Sequence, residues 1–207
     1  MLIQGSVGQP STTSIQPGTT PTIRQGQLGD VIMSELHGRY YETAYRRNQF
    51  FAATQSGQTS SAGLVTGYVG LALTNPTTST VNCVLNKVGW GVNAAPAAVM
   101  MVGLAFNTST TAVTQTTAVT TRNCFLGGAT SQGLVSTATT FPTAPVISHI
   151  LGVIDTGAVT TVIHQTNFVD MEGSIVMPPG SYICLYTSTA SAATSLFASF
   201  QWEEVPV

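Results

Sequence analysis

The sequence predicts an all-β protein: an antiparallel β-sandwich, closed as a jelly roll, with an extended N-terminal arm. Three observations predict it. Beyond residue 48 the chain is a series of short runs rich in Val, Ile, Thr and aromatic residues, separated by clusters of Gly, Pro, Asn and Ser. No convincing amphipathic helix breaks that series. The first 22 residues are mostly Ser, Thr, Gln, Gly and Pro, and cannot bury enough surface to offset the entropy of ordering themselves. The chain therefore divides into an arm and interface segment over residues 1–47 and a sandwich body over residues 48–207.

The elements follow in order. Met33 to Tyr45 reads as one short helix with Leu36, Tyr40 and Tyr41 inward, or as an extended segment, because Gly38 weakens a helix there. Leu64 to Thr74 sets Val65, Val69, Leu71 and Leu73 on one face at period two, with Thr66, Tyr68 and Thr74 on the other. Asn75-Pro76 signals a turn before a strand from Val81 to Val92. Further candidate strands are Ala98 to Phe106, Ala112 to Thr121, Pro145 to Ile154, Val159 to His164 and Gly173 to Met177. Pro178-Pro179-Gly180 then makes a tight turn, since Pro presets φ and Gly supplies a positive one. Ser181 to Ser188 follows. In the last strand, Leu196 to Glu203, Leu196, Ala198, Phe200 and Trp202 face one way and Ser199, Gln201 and Glu203 the other. Eight or nine such strands are the complement of a jelly roll.

Charge is scarce and unevenly placed. Only 7% of the 207 residues are charged, against roughly 25% in an average soluble protein. A folded monomer of this length exposes on the order of 9,000 Å², or about one charge per 650 Å², so its surface is largely hydroxyl, amide and apolar. Seven of the fourteen charges, Arg24, Asp30, Glu35, Arg39, Glu42, Arg46 and Arg47, fall in one short segment that also carries Tyr40, Tyr41 and Tyr45. Between Asn48 and Val169 only Lys87, Arg122 and Asp155 are charged. A net charge of -2 lacks the cationic footprint of nucleic-acid binding, so DNA and RNA are not expected partners. The start carries no basic region followed by a long apolar run, so no secretory signal is expected. Gly89 to Phe106, the most apolar stretch, is interrupted by Asn93 and Pro96, and no membrane span is expected. Cys83, Cys124 and Cys184 form no metal-ligand spacing and read as buried thiols of a reducing compartment, with one disulfide left open.

Acid-base chemistry needs titratable groups that converge. His149, Asp155 and His164 would form a metal or relay cluster if neighbouring strands joined them; hydrogen-bonded core or interface histidines are the simpler reading. Asp170 and Glu172 share one strand face and resemble paired carboxylates, although a solvated edge or an inter-subunit salt bridge is the simpler reading. No phosphate-binding loop, nucleophile elbow, zinc-protease helix or dinucleotide fingerprint is present. Asn107-Thr108-Ser109 matches a glycosylation sequon without a secretory context. Thr108 to Thr121 alternates Thr with Val and Ala, giving a strand whose outer face is hydroxyl, which suits a sugar, although Thr serving as a β-former on an uncharged surface is the simpler reading. The expectation is a non-enzymatic protein without cofactor or metal. A chain so poor in charge is also expected to associate with copies of itself.

Four blocks carry a resemblance. They are Arg24-Gln25-Gly26-Gln27-Leu28-Gly29-Asp30-Val31-Ile32, Ser34-Glu35-Leu36-His37-Gly38-Arg39-Tyr40-Tyr41-Glu42, Met171-Glu172-Gly173-Ser174-Ile175-Val176-Met177-Pro178-Pro179-Gly180-Ser181-Tyr182, and Phe200-Gln201-Trp202-Glu203-Glu204-Val205-Pro206. Together they resemble small virion structural proteins of tailed bacteriophages. The resemblance implies a capsid decoration (cement) protein: a homotrimeric jelly roll that stabilises the shell, with an arm reaching over the major capsid protein or another virion protein. It implies a place in the virion, after assembly in the cytoplasm of the bacterial host. The interface residues expected on that basis, and from the enrichment of Tyr and Arg at interfaces, are Arg24, Asp30, Glu35, His37, Arg39, Tyr40, Tyr41, Glu42, Arg46 and Arg47. Two rival readings remain: a head-fibre or tail component whose Thr-rich strands bind host surface glycans, and a polysaccharide-degrading enzyme using Asp155, Asp170 and Glu172.

Overall fold

Backbone pairing at each end of the chain sets the frame. The computed structural model describes residues 5–7, 23–25, 38–155 and 166–207; Val159 to His164, Asp30, Glu35 and His37 lie outside them. Strands β1 (Gly5–Val7) and β2 (Ile23–Gln25) pair in parallel. The chain forms two compact units, Met1–Tyr41 and Glu42–Val207. Of the segment read as helical or extended, the described part holds one short helix, α1 (Tyr41–Tyr45), entered by a turn in which Tyr41 N donates to Gly38 O (2.9 Å). Arg47 ends it in the left-handed region (φ 65°), with Asn48 N donating back to Thr43 O (3.1 Å), a cap that closes the helix and redirects the chain.

The second unit is two antiparallel sheets packed face to face. Its strands are β3 (Gln49–Ala53), β4 (Gly67–Thr74), β5 (Val81–Val92), β6 (Met100–Thr108), β7 (Thr114–Val119), β8 (Arg122–Asn123), β9 (Leu134–Thr140), β10 (Val146–Ile154), β11 (Thr166–Met177), β12 (Ser181–Thr187) and β13 (Leu196–Pro206). One sheet has the order β10-β6-β12-β4-β9-β7 and the other β11-β5-β13-β3-β8. The chain changes sheet at each step from β3 to β6, and again at each step from β10 to β13. The all-β sandwich read from the sequence is thus present. Its sheets hold six and five strands, more than the eight strands of a jelly roll.

Alternation explains the core. On β13 the predicted inward set, Leu196, Ala198, Phe200 and Trp202, is buried, and it meets Leu85, Val88 and Trp90 of β5 and Phe50 of β3. Facing them from the six-stranded sheet are Leu71, Leu73, Val102, Leu104, Ile183 and Leu185. Each such side chain contributes about 1.5–3 kcal/mol on burial. Phe50 stacks on Trp202 with ring centroids 6.2 Å apart. One buried carboxylate closes an end of this core: Glu204 accepts from Ser131 Oγ (2.5 Å) and from the main-chain N–H groups of Gly133 (2.9 Å) and Gln132 (3.2 Å), pinning the approach to β9.

The six-stranded sheet also buries its outer face, which the sequence pattern misses. All seven residues of β12 are buried, so both faces are covered. Tyr68, Phe141 and Tyr182 form the cover: Phe141 stacks on Tyr182 at 4.5 Å and lies 5.5 Å from Tyr68. Tyr182 Oη donates to Thr143 O (2.6 Å) and Tyr68 Oη to Leu185 O (2.6 Å), which satisfies the hydroxyls as the rings are buried. The single period expected across Leu64 to Thr74 therefore fails. Leu71 and Leu73 point inward, but Val65 and Val69 are exposed and Tyr68 is buried. A register break between Val69 and Ala72 resets the strand at Gly70, whose φ of +135° and contact with the Tyr68 hydroxyl leave no room for a Cβ.

Other differences have similarly local causes. The expected strand at Gly173 to Met177 is the second half of β11, whose pairing breaks between Asp170 and Ile175 where Glu172 (φ 55°) and Gly173 (φ 73°) form a bulge. Strands β3, β8 and β9 were not expected. In β9 the buried residues include Ser136, Thr137 and Thr139, with Ser136 Oγ donating to Thr117 O (2.9 Å), so hydrophobic alternation is weak there. The Pro178-Pro179-Gly180 turn is as predicted: Gly180 has φ +85°, and a Cβ there would lie 2.5 Å from Ser109 O.

Candidate interaction surface

The described titratable residues singled out for chemistry are spread along β10 and β11. His149 and Asp155 lie on and just beyond β10, six positions apart, or about 20 Å along an extended strand. His164 lies outside the described residues. Asp170 and Glu172 sit on the β11 bulge, where Glu172 N donates to Asp170 Oδ1 (2.9 Å); the shared face expected of them depended on an unbroken strand. Among the described residues no group of three or more His, Cys, Asp or Glu is placed to hold a metal ion. Asn107 of the sequon donates through Nδ2 to Ala144 O (2.9 Å), a structural bond.

The cysteines are free. Cys83 and Cys184 are buried as expected, whereas Cys124 is only partly so. Burial, and then the charge of Glu204, pushes the Cys83 thiol up to about 12; burial raises Cys184 and Cys124 as well. None has the lowered value of a reactive thiolate.

The expected interface residues divide by position. Arg24 lies in β2, for which the backbone pairing alone is described, and Asp30, Glu35 and His37 lie outside the described residues. Arg39 stands over the Tyr40 ring, 5.6 Å from its centroid, and Tyr41 is exposed. Arg46 and Glu42 form an exposed pair one helical turn apart (2.7 Å), worth about 0.3–0.5 kcal/mol. Arg47 does more. Its guanidinium lies 4.7 Å from the Phe125 ring centroid, Tyr45 meets the same ring edge-on at 6.5 Å, and Asn123 Nδ2 donates to Arg47 O (2.7 Å). Tyr45, Phe125 and Leu126 all remain exposed around this contact.

Two larger apolar surfaces escaped the sequence reading. The outer face of the five-stranded sheet holds a trough of about 580 Å³, floored by Gly89 and Gly91 and walled by Phe168 and Phe197, with Asn93, Asn167 and Ser199 as polar groups. Lys87 Nζ stands 5.3 Å from the centroid of the Phe168 ring. Beside the trough, β10 and β11 are the neighbouring edge strands of the two sheets: a Cβ on Gly152 would meet Trp90 and Asn167. Val146, Ile150 and Val153 on β10, and Phe168 and Val176 on β11, are each more than half exposed. β10 carries no Asp, Glu, Lys or Arg, the groups that usually protect an edge, and only its register breaks interrupt it. Phe197 was legible as the residue out of phase with Leu196 and Ala198; Phe168 lay in a stretch not read as a strand.

No family model matches the chain, and neither a curated protein nor a solved structure does. Among the described residues no helix is long and apolar enough to cross a membrane.

Proposed function

We propose that the chain is a non-enzymatic structural protein of a phage virion, a capsid decoration (cement) protein that trimerises and binds the shell to stabilise it. The observation that supports this reading is the apolar side of the sandwich along β10 and β11, with Ile150 and Phe168 each 64% exposed and no Asp, Glu, Lys or Arg on β10 itself. Exposed apolar area of this kind on an unpaired edge is a surface for another protein. A second copy of the chain covers it in the assembled particle. The charged, Tyr-bearing segment up to Arg47 then faces the shell, its last residues Tyr45 and Arg47 held against Phe125.

The test has two arms. Sedimentation of the purified full chain is expected to give a trimer, and Ile150→Lys a monomer of unchanged thermal stability. Chain lacking residues 1–47 is expected to fold yet no longer bind particles stripped of this protein. A wild-type monomer that never co-purifies with particles overturns the proposal.

A further inference from the structure

The chain leaving β8 makes a turn that the sequence did not single out. Phe125-Leu126-Gly127-Gly128 is closed by Gly128 N donating to Phe125 O (2.8 Å), with Gly127 in the left-handed region (φ +83°) that the third position of such a turn requires. Asn123 braces it: Oδ1 accepts from Phe125 N (2.8 Å), and Nδ2 donates to Arg47 O (2.7 Å) and Ala129 O (3.3 Å). Cys124 N donates to Gln49 O (2.8 Å), which ties the same segment to β3. The turn is thus fixed before any partner arrives. At its apex Leu126 is 82% exposed, more than any other large apolar side chain among the described residues. It does not stand alone, since Phe125 and Tyr45, in edge-on contact, are exposed beside it.

Charge gathers at the same corner. The second unit, Glu42–Val207, has four cations, and three of them, Arg46, Arg47 and Arg122, stand here. Arg47 holds its guanidinium over the Phe125 ring, and the exposed Arg122 lies opposite the exposed Phe51 across the β3–β8 pair. Two carboxylates belong to the neighbourhood: Glu42 is paired with Arg46, and the partly buried Glu203 lies opposite Gln49 on β13. Among the described residues neither Arg47 nor Arg122 is paired with a carboxylate. A fixed apolar tip between two such cations is a recognition pattern: apolar contact supplies the affinity, and the guanidinium groups select a partner that bears carboxylates.

We propose that this corner docks on the shell protein, with Leu126 entering an apolar pocket and Arg47 and Arg122 pairing with carboxylates on the pocket's rim. The inference rests on the shell-binding reading and names the contact within it, adding a turn of the sandwich to the segment that ends at Arg47. Because the turn is already ordered by Asn123, little conformational freedom is lost on docking. β8 is the edge strand opposite β11 in its sheet, so the corner stays open when copies meet along β10 and β11. Nucleic acid fits poorly, since two cations neutralise too few phosphates and a leucine tip gains nothing against them.

Co-sedimentation of the full chain with particles stripped of this protein, at about 50 and about 300 mM salt, tests this. Wild-type binding is expected to weaken at the higher salt, where the ion pairs are screened. Leu126→Ser is expected to weaken binding about tenfold or more with Tm unchanged, because the side chain touches little of its own fold. Arg122→Glu is expected to weaken binding by a similar factor and to flatten its salt dependence, whereas Leu126→Met, which keeps the apolar volume, binds as the wild type does. If Leu126→Ser and Arg122→Glu both bind like the wild type, this contact is overturned while the shell-binding reading stands; if the wild type itself does not bind, both fall. A loss of oligomer mass in Leu126→Ser, read by sedimentation, assigns the corner to a second copy of the chain and likewise overturns the proposal.

Discussion

The outer faces of the two sheets solve the same problem differently. On the six-stranded sheet, Tyr68, Phe141 and Tyr182 pack over the strands, and each tyrosine hydroxyl is bonded to a main-chain carbonyl. On the five-stranded sheet, Phe168 and Phe197 stand partly exposed around a glycine floor, with the Lys87 ammonium 5.3 Å from the Phe168 ring centroid. The difference teaches where the molecule is finished and where it is not. Tyrosine serves where the fold supplies its own cover, because its polar end needs a built partner. Phenylalanine lines the bare face, where it gains most when another surface arrives.

Substitutions can break this contrast. Phe141→Ala is expected to cost about 3–5 kcal/mol in urea unfolding, as a buried ring between two tyrosines, whereas Phe197→Ala costs under about 1 kcal/mol. If the two cost the same, the faces are not distinct. Alkaline pH provides the next effect. Cys184 lies under the aromatic cover and Cys83 in the inter-sheet core, and burial raises both thiols. The folded state holds those protons where the unfolded state releases them near 9.0, so their contribution is complete below that pH and is lost as pH climbs toward about 12. Urea midpoints measured from about pH 7 to 10.5 should fall, and should fall less in Cys83→Ala/Cys184→Ala. Tyr182→Phe, which removes only the bond to Thr143, is expected to cost about 1 kcal/mol. Phe168→Ser should change stability by less than about 0.5 kcal/mol and yet lower the mass read by light scattering if copies meet at this side as proposed; an unchanged mass would place any contact elsewhere.

Strands were legible where one face is apolar and the other polar. β13 and β5 show it: Leu196, Ala198, Phe200 and Trp202 alternate cleanly, and both ends of β5 coincide with those expected. The outer cover was not legible. It depends on Tyr68 turning back beneath its own strand at Gly70, and on Phe141 arriving from a connection far along the chain. Neither event leaves a period in the sequence. Asn75 read correctly as a turn residue, but the bonds it donates to Val81, Met177 and Ser181 depend on segments that only the assembled sheets bring together. The contact between the end of α1 and the sandwich was half legible: Arg47 and Tyr45 stood out, while their target Phe125 lies in a loop without a pattern.

The place of β12 and β13 in the sheet orders bears on how the protein is made. β12 lies between β6 and β4, and β13 between β5 and β3, so the middle of each sheet is supplied by residues beyond 180. Until those residues leave the ribosome, four strand edges have no neighbour and neither layer can close. Folding must therefore wait until β12 and β13 are made and then proceed through distant pairings, which makes it slow and leaves the nascent chain prone to aggregation. Chains stopped short of residue 181 would be sheet fragments with exposed strand edges, the species most prone to aggregate.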